Sequence, residues 1–151
     1  MTTIEGLEPA EVLLVEDNPG DVRLTREALR DTRTPVHLQV ASDGVEAMAF
    51  LRHEGDQAHF PRPDLILLDL NLPRMDGREL LAEIKKDESL KSIPTIILTS
   101  SDADVDIAKS YRLQANAYLI KPVQLAAFES LVATTTDFWL TKVRLPPRQG
   151  R

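Results

Sequence analysis

Cysteine is absent from the 151 residues of the sequence. Its absence excludes a disulfide framework, a thiol nucleophile and any metal site built from thiolates. Long apolar segments are also missing, since no run approaches the ~20 residues that a membrane-spanning helix needs. The first residues have neither the basic start nor the apolar stretch of a secretory signal. We therefore expect a cytoplasmic protein that does not bind membranes.

Positive charge is scarce as well, with 18 lysine and arginine residues against 24 acidic residues and a net charge of −6. Surfaces that bind nucleic acid are normally basic, so no nucleic-acid partner is expected. The hydrophobic fraction of 42% and the charged fraction of 28% are ordinary for a globular chain of one domain. We expect a loose segment over residues 1–10, one domain over residues 11–142 and a C-terminal extension over residues 143–151.

Short strand-like runs alternate with segments of helical periodicity along the chain. Four runs are continuously apolar and one alternates weakly: 12–15, 36–41, 65–68, 95–98 and 117–120. Continuous apolar runs of this length are typical of strands buried on both faces of a parallel sheet. The alternation predicts an α/β fold, in which right-handed crossovers place helices on both faces of a doubly wound sheet.

Polar residues follow four of these strands at the point where each strand ends. They are Glu16, Asp17, Asp69, Thr99 and Lys121. A parallel sheet brings the carboxyl ends of its strands to one edge, where such sheets bind ligands. Three carboxylates at this edge would repel one another unless a cation lay between them. Carboxylates without cysteine or converging histidine suit Mg²⁺.

This set of residues suits the transfer of a phosphoryl group to a carboxylate. Asp69 would be the nucleophile and would form an acyl phosphate. Lys121 and Mg²⁺ would neutralise charge on the oxygens of the transferred group, and Thr99 would donate a hydrogen bond to one of them. Any one of these residues alone is also explained as a loop cap or a solvated charge. That explanation is weak for five suited residues at four strand ends.

At this point the sequence resembles a known family, the receiver domains of two-component response regulators. The matching motifs, in chain order, are Val15-Glu16-Asp17-Asn18, Leu68-Asp69-Leu70-Asn71-Leu72-Pro73-Arg74-Met75-Asp76-Gly77, Thr99 and Lys121-Pro122. The resemblance covers about residues 11–140. It implies a flavodoxin-like five-stranded parallel sheet with the strand order 2-1-3-4-5.

The resemblance also implies roles for the residues at the sheet edge. Asp69 would be the phosphoacceptor for a histidine kinase. Asp17, Asp69 and the backbone carbonyl of Asn71 would bind Mg²⁺ directly, while Glu16 would act through water. Lys121 would reach the phosphoryl group, and the peptide bond that follows it would be cis.

A narrower resemblance points to the stand-alone regulators that are paired with bacterial and cyanobacterial phytochromes. It rests on the residues 18–21, the long loop 54–63 and the extended last helix. Small regulators of other kinases share these features. With no output domain expected, the signal would leave by binding of a partner or by relay of the phosphoryl group.

Two further features of the sequence suggest a switch and a dimer. Tyr118 lies three residues before Lys121, where the family carries an aromatic switch that responds to Thr99; the alternative is an aromatic residue that covers the core beside an edge strand. The last helix carries an apolar stripe that is longer than one receiver core can cover. We expect a homodimer through the fourth helix, the fifth strand and the last helix. The interface residues proposed are Leu125, Phe128 and Trp139, with residues 143–147 as an arm that reaches the partner.

Alternatives remain for these assignments. Trp139 in the last helix could instead fold back on its own core. A phosphatase with an aspartyl nucleophile would usually need a second carboxylate two residues after Asp69, and that position holds Asn71. A receiver-like module that binds partners without phosphorylation is a second rival. The complete set of strand-end residues argues against it.

Overall fold

The architecture was analysed in a computed structural model, which describes residues 8–55 and 60–148. Five strands alternate with five helices. The strands are β1 (Ala10–Val15), β2 (Val36–Ala41), β3 (Leu65–Leu68), β4 (Thr95–Thr99) and β5 (Ala117–Ile120). The helices are α1 (Pro19–Leu29), α2 (Gly44–Arg52), α3 (Gly77–Lys86), α4 (Asp104–Arg112) and α5 (Leu125–Asp137). Within these described ranges no helix is long and apolar enough to cross a bilayer.

The strands form one sheet in the order β2-β1-β3-β4-β5, and every neighbouring pair is parallel. The predicted fold class and strand order are therefore confirmed. In register, Val15 lies beside Leu68, and Leu68 in turn lies beside Ile97. This register brings the last residues of β1, β3 and β4 to the same edge of the sheet.

The core has two layers because successive side chains of a strand point to opposite faces of the sheet. On one face, Leu13 and Leu68 pack with apolar residues of α2 and α3. On the other face, the strand residues pack with apolar residues of α1 and α5. All four residues of β3 are buried, as expected for a central strand covered on both sides.

All five helices begin at the edge of the sheet where the strands end, and three of them have a side-chain cap. The Asn18 side chain accepts a hydrogen bond from the backbone of α1, and Pro19 occupies the first turn, where it loses no helical hydrogen bond. Asp43 caps α2, while Asp76 and Glu79 form a capping box on α3. These caps fix the loops that carry the polar residues of the strand ends.

The last helix changes its hydrogen-bond pattern near its end. Its α-helical part stops at Asp137, and a π-helical turn covers Phe138–Lys142. The Thr141 hydroxyl donates a hydrogen bond of 2.6 Å to the carbonyl oxygen of Asp137. Side chains of this kind offer the backbone an alternative to the regular helical bond.

The C-terminal segment lies against its own chain, and the expectation of an arm that reaches a partner is not supported. The guanidinium of Arg148 donates hydrogen bonds to both carboxylate oxygens of Asp64, at 2.9 and 2.5 Å, and to the carbonyl oxygen of Pro9 at 3.1 Å. A carboxylate of Glu8 accepts a further bond at 2.7 Å. These bonds tie both ends of the described chain to the amino-terminal edge of the sheet.

Candidate functional site

Three carboxylates meet at the carboxyl edge of the sheet. One oxygen from each of Glu16, Asp17 and Asp69 lies within 4.8 Å of the others. Glu16 and Asp69 are buried, whereas Asp17 is exposed. The convergence follows from the parallel pairing of β1 with β3. A set of hard oxygen donors without cysteine or histidine fits Mg²⁺.

Lys121 supplies the positive charge of this site. Its ammonium donates hydrogen bonds of 2.6 Å to Glu16, 2.8 Å to Asp21 and 2.9 Å to Asp69. Asp21 was not singled out in the sequence, because it lies in the first turn of α1 and does not follow a strand. The signal that could have found it is its place in the first turn of the helix that leaves β1. At that place a side chain can point back over the strand ends.

Burial and crowding shift two pKa values in this cluster. Burial, with the neighbouring Asp69 charge, raises the pKa of Glu16 to about 7 in spite of its bond to Lys121. Burial also disfavours the charged form of Lys121. Its hydrogen bonds to Asp21, Glu16 and Asp69 outweigh that effect and raise the lysine pKa above its ordinary value. One ammonium cannot neutralise three carboxylates, so the cluster keeps a net negative charge that a bound cation would neutralise.

The loop after β3, residues 69–77, starts at Asp69 and is held close to it. The backbone N–H of Asn71 donates a hydrogen bond of 3.1 Å to Asp69 Oδ1. At the other end of the loop, a Cβ on Gly77 would lie 2.3 Å from the carbonyl oxygen of Asp69. Only glycine allows this close approach of the two backbone segments. Asn71 itself is exposed.

Thr99 ends β4 at the same edge of the sheet. It is fully buried, and among the described residues its hydroxyl has no hydrogen-bond partner. Buried hydroxyls are normally paired, so this one is an available donor at the sheet edge that also carries the carboxylate cluster. The backbone N–H of Lys121 donates a bond of 2.8 Å to the Thr99 carbonyl oxygen, which joins the two strand ends.

The peptide bond between Lys121 and Pro122 corrects one expectation. No peptide bond in the described residues is cis, so this bond is trans. The two forms of a bond before proline differ by only about 0.5–1 kcal/mol, so a sequence motif does not fix the choice.

Tyr118 belongs to a polar network that joins β5, the loop after β4 and the helices α3 and α4. Its hydroxyl donates a hydrogen bond of 2.9 Å to the backbone carbonyl oxygen of Ser101, and its ring packs against the core. The Ser101 hydroxyl donates to Asp106 at 2.6 Å, and the Arg78 guanidinium donates to Asp106 at 3.0 Å. Arg78 also reaches the Leu70 carbonyl oxygen at 3.4 Å, next to Asp69 in the chain.

The three residues expected at a dimer interface lie in different environments. Leu125 is 64% exposed. Phe128 is only 3% exposed, so its assignment to the interface is wrong. It packs with Val132 against α1, because residues four apart share one face of a helix. Trp139 is half-buried and packs against the core of its own chain, which was the alternative considered for it.

Comparison with known proteins identifies the family. The family model described as response regulator receiver domain matches residues 12–133, so the chain belongs to the response regulator receiver family. It is a two-component signalling domain with the doubly wound fold described above.

Its relatives include phytochrome response regulators. The chain is 46% identical over 142 residues to response regulator Rcp1 of Synechocystis sp., covering 94% of this chain and 97% of that protein. The crystal structure of the phosphorylated cyanobacterial phytochrome response regulator RcpA matches with a TM-score of 0.90 and 47% identity, covering 93% of this chain and 100% of that chain. The Mn(2+)-bound form of Rcp1 matches with a TM-score of 0.88 and 46% identity, covering 92% and 100%.

Proposed function

We propose that Asp69 accepts a phosphoryl group from the phosphohistidine of a sensor kinase. A carboxylate oxygen of Asp69 attacks phosphorus, so a P–O bond forms and the P–N bond to the kinase imidazole breaks. The imidazole keeps the electron pair of that bond and takes a proton from solvent. The observation that carries this proposal is the bond of 2.9 Å from the Lys121 ammonium to Asp69 Oδ2 within a buried acidic cluster.

Mg²⁺ is the cofactor that this donor set fits. Asp17, Asp69 and the carbonyl oxygen of Asn71 would hold the ion, with Glu16 acting through water. When bound, Mg²⁺ supplies positive charge beside the phosphoryl oxygens. The exposure of Asp17 leaves one side of the cluster open to solvent, from which the ion and the phosphodonor enter.

Lys121 and Thr99 complete the phosphoryl-transfer residues. Lys121 already contacts Asp69, and on phosphorylation its ammonium would move from the carboxylate oxygen to a phosphoryl oxygen. The unpaired Thr99 hydroxyl would donate to a second phosphoryl oxygen. The same residues would assist the return reaction, in which water attacks phosphorus and releases phosphate from Asp69. This self-catalysed dephosphorylation resets the domain.

The Thr99 movement would reach Tyr118 through the loop after β4. Ser101 lies two residues after Thr99, and its carbonyl oxygen accepts the Tyr118 hydrogen bond. A shift of Thr99 toward the phosphoryl group therefore changes the acceptor of the Tyr118 hydroxyl. Phosphorylation can shift a conformational equilibrium only through contacts that differ between the two states, and these are such contacts.

The surface built from α4, β5 and the start of α5 is the proposed site of homodimerisation. Its exposed apolar side chains are Val105, Tyr111, Ile120, Val123 and Leu125. Exposed apolar surface on a small domain marks an interaction site. Tyr118 on β5 would allow phosphorylation to adjust the strength of the dimer.

The partner proposed for phosphotransfer is a histidine kinase in the cytoplasm. Because relatives of this chain are phytochrome response regulators, a phytochrome is the first kinase to test. We take residues 11–142 as the receiver and residues 143–151 as an extension outside it.

Intact mass spectrometry tests the phosphoacceptor proposal. The protein is incubated with Mg²⁺ and acetyl phosphate. The wild type should gain one phosphoryl group, whereas Asp69→Asn should gain none. Asp64→Asn is the matched control, because this aspartate lies at the opposite end of β3. Equal labelling of wild type and Asp69→Asn would refute the proposal.

A further inference from the structure

The loop after β3 contains an arginine in an unfavourable backbone conformation. Arg74 has φ of 63°, in the left-handed region that residues with a Cβ seldom occupy. Glycine would adopt this conformation without the steric penalty. A strained conformation of this kind persists when contacts of the residue stabilise it, and the side chain of Arg74 makes such contacts.

Those contacts are made with Asp43, the residue that caps α2. Arg74 Nε donates to Asp43 Oδ2 at 2.9 Å, and Nη2 donates to Oδ1 at 3.1 Å. The two parallel bonds make this pair more directional than a single contact, although solvent screens it because the Arg74 side chain is 60% exposed. Asp43 is buried, and Oδ1 also accepts a bond of 2.8 Å from the Glu46 N–H in the first turn of α2. The carboxylate thus anchors Arg74 to the start of a helix.

Beside this ion pair, the backbone of the loop lies close to the backbone at the start of α2. A Cβ on Gly44 would lie 2.4 Å from the carbonyl oxygen of Met75, so the loop rests directly on the start of α2. At its far end, the Gly77 N–H donates a bond of 3.0 Å to the Leu70 carbonyl oxygen. The segment between Leu70 and Gly77 includes Asn71, the residue whose carbonyl oxygen is a proposed Mg²⁺ ligand.

We propose that Asp43 and Arg74 are positioning residues that hold the loop after β3 with the Asn71 carbonyl oxygen ready to bind Mg²⁺. This inference rests on the proposed function, because it concerns the same cation site. Neither residue is proposed to touch the ion or the phosphoryl group. They order the loop before the ion binds. The free energy of Mg²⁺ binding then does not include the cost of ordering the loop.

The expected signature is a separation of metal affinity from reaction rate. A loop that must be ordered by the ion binds Mg²⁺ more weakly. Once the ion is bound at saturation, the same ligands surround it and the phosphorylation rate recovers. Residues that orient metal ligands typically contribute about 10- to 100-fold to affinity. We expect about a tenfold loss of Mg²⁺ affinity, the lower end of that range, because Asp43 and Arg74 act on one ligand of several.

Three variants separate the ion pair from its structural side effects. Arg74→Gly removes the ion pair and relieves the φ strain, whereas Arg74→Ala removes it and keeps the strain. Asp43→Asn weakens the ion pair but keeps the cap of α2, because asparagine caps helices as well as aspartate does. Arg148→Ala is the matched control, since it breaks an arginine–aspartate pair with Asp64 at the opposite edge of the sheet.

Three measurements are made on each full-length variant: the Mg²⁺ dissociation constant by titration calorimetry, amide hydrogen exchange of residues 70–76 without Mg²⁺, and the rate of phosphorylation by acetyl phosphate at saturating Mg²⁺. We expect all three loop variants to bind Mg²⁺ about tenfold more weakly and to exchange faster in the loop. Their phosphorylation rates at saturating Mg²⁺ should stay within about twofold of the wild type. Arg148→Ala should match the wild type in all three respects.

Unchanged Mg²⁺ affinity in Arg74→Gly and Asp43→Asn would overturn the inference, whatever happens to stability. So would a loss of rate that saturating Mg²⁺ does not restore. A wild type that binds no Mg²⁺, or an Asp17→Asn variant that binds it normally, would instead refute the proposed cation site itself. The two failures are therefore distinguishable.

Discussion

The hydroxyl of Tyr118 lies 2.9 Å from the backbone carbonyl oxygen of Ser101, to which it donates a hydrogen bond. This bond joins β5 to the loop that follows Thr99. The same loop is held from the other side, since the Ser101 hydroxyl donates to Asp106. The inward position of Tyr118 is thus supported by the loop that a phosphoryl group at Asp69 would move.

Substitution of Tyr118 by phenylalanine tests this contact. Tyr118→Phe removes the hydrogen bond but keeps the packed ring, so we expect a loss of about 1 kcal/mol in the free energy of unfolding, measured with urea. Phosphorylation by acetyl phosphate should remain, while its effect on dimer strength should fall. A variant that couples phosphorylation to dimerisation as strongly as the wild type would contradict a switch role for the hydroxyl.

The acidic pair after β1 should divide its roles according to burial. Asp17 is exposed and free to bind an ion, whereas Glu16 is buried and bonded to Lys121. We expect Asp17→Asn to weaken Mg²⁺ binding at least tenfold, because a unit charge ~4 Å from a divalent ion contributes about 2 kcal/mol even in water, and a tenfold change in affinity needs only about 1.4 kcal/mol. Glu16→Gln should weaken it less. Calorimetry that finds the larger loss for Glu16→Gln would show that the division is reversed.

Stability without Mg²⁺ should depend on pH through Glu16. Burial raises the folded-state pKa of Glu16 to about 7 from the ordinary value of 4.5, so ionisation of Glu16 opposes folding. The stabilisation that protonated Glu16 gives to the folded state is complete below the unfolded-state pKa of Glu16. It is lost as the pH rises through the folded-state pKa of about 7. Relative to Glu16→Gln, the wild type should lose up to about 3 kcal/mol by pH ~8. Urea unfolding in EDTA measures this; a pH-independent difference between the two proteins would count against the shifted pKa.

Two substitutions in the last helix distinguish an effect on dimerisation from an effect on core stability. Leu125 is exposed, so Leu125→Glu should change the free energy of unfolding by no more than about 0.5 kcal/mol while it weakens the dimer in sedimentation velocity. Phe128 is buried, so Phe128→Ala should lose about 3–5 kcal/mol of stability. A wild type that stays monomeric at high concentration, with and without phosphorylation, would exclude the proposed dimer.

Strand positions and their common edge were predictable from the sequence because both follow from local patterns. Continuous apolar runs identify buried strands, and parallel pairing brings their ends together whatever the loops contain. The cluster of Glu16, Asp17 and Asp69 is the direct result. For this reason the fold and the acidic part of the site are predictable from the sequence alone.

What the sequence could not supply depends on contacts between distant segments. Asp21, in the first turn of α1, joins the site through a contact of 2.8 Å with Lys121, which lies 100 residues away in the sequence. Phe128 was placed on the surface because an apolar stripe does not reveal which of its members face α1. The folding back of the C-terminal segment depends on the pair Arg148 and Asp64, which are 84 residues apart.

The most direct test of the account maps the phosphorylated residue chemically. Borohydride reduces an acyl phosphate to an alcohol, so a phosphorylated aspartate becomes homoserine and an unmodified aspartate stays intact. The wild type is phosphorylated with acetyl phosphate and Mg²⁺, reduced and digested with trypsin, and the peptide that ends at Arg74 is sequenced by tandem mass spectrometry. This peptide also contains Asp64, an internal control. In the same digest, the peptide that ends at Arg23 contains Asp17 and Asp21 and is sequenced as well. We predict homoserine at position 69 and aspartate at positions 17, 21 and 64; homoserine at Asp17 or Asp21, with Asp69 unchanged, would contradict the central claim.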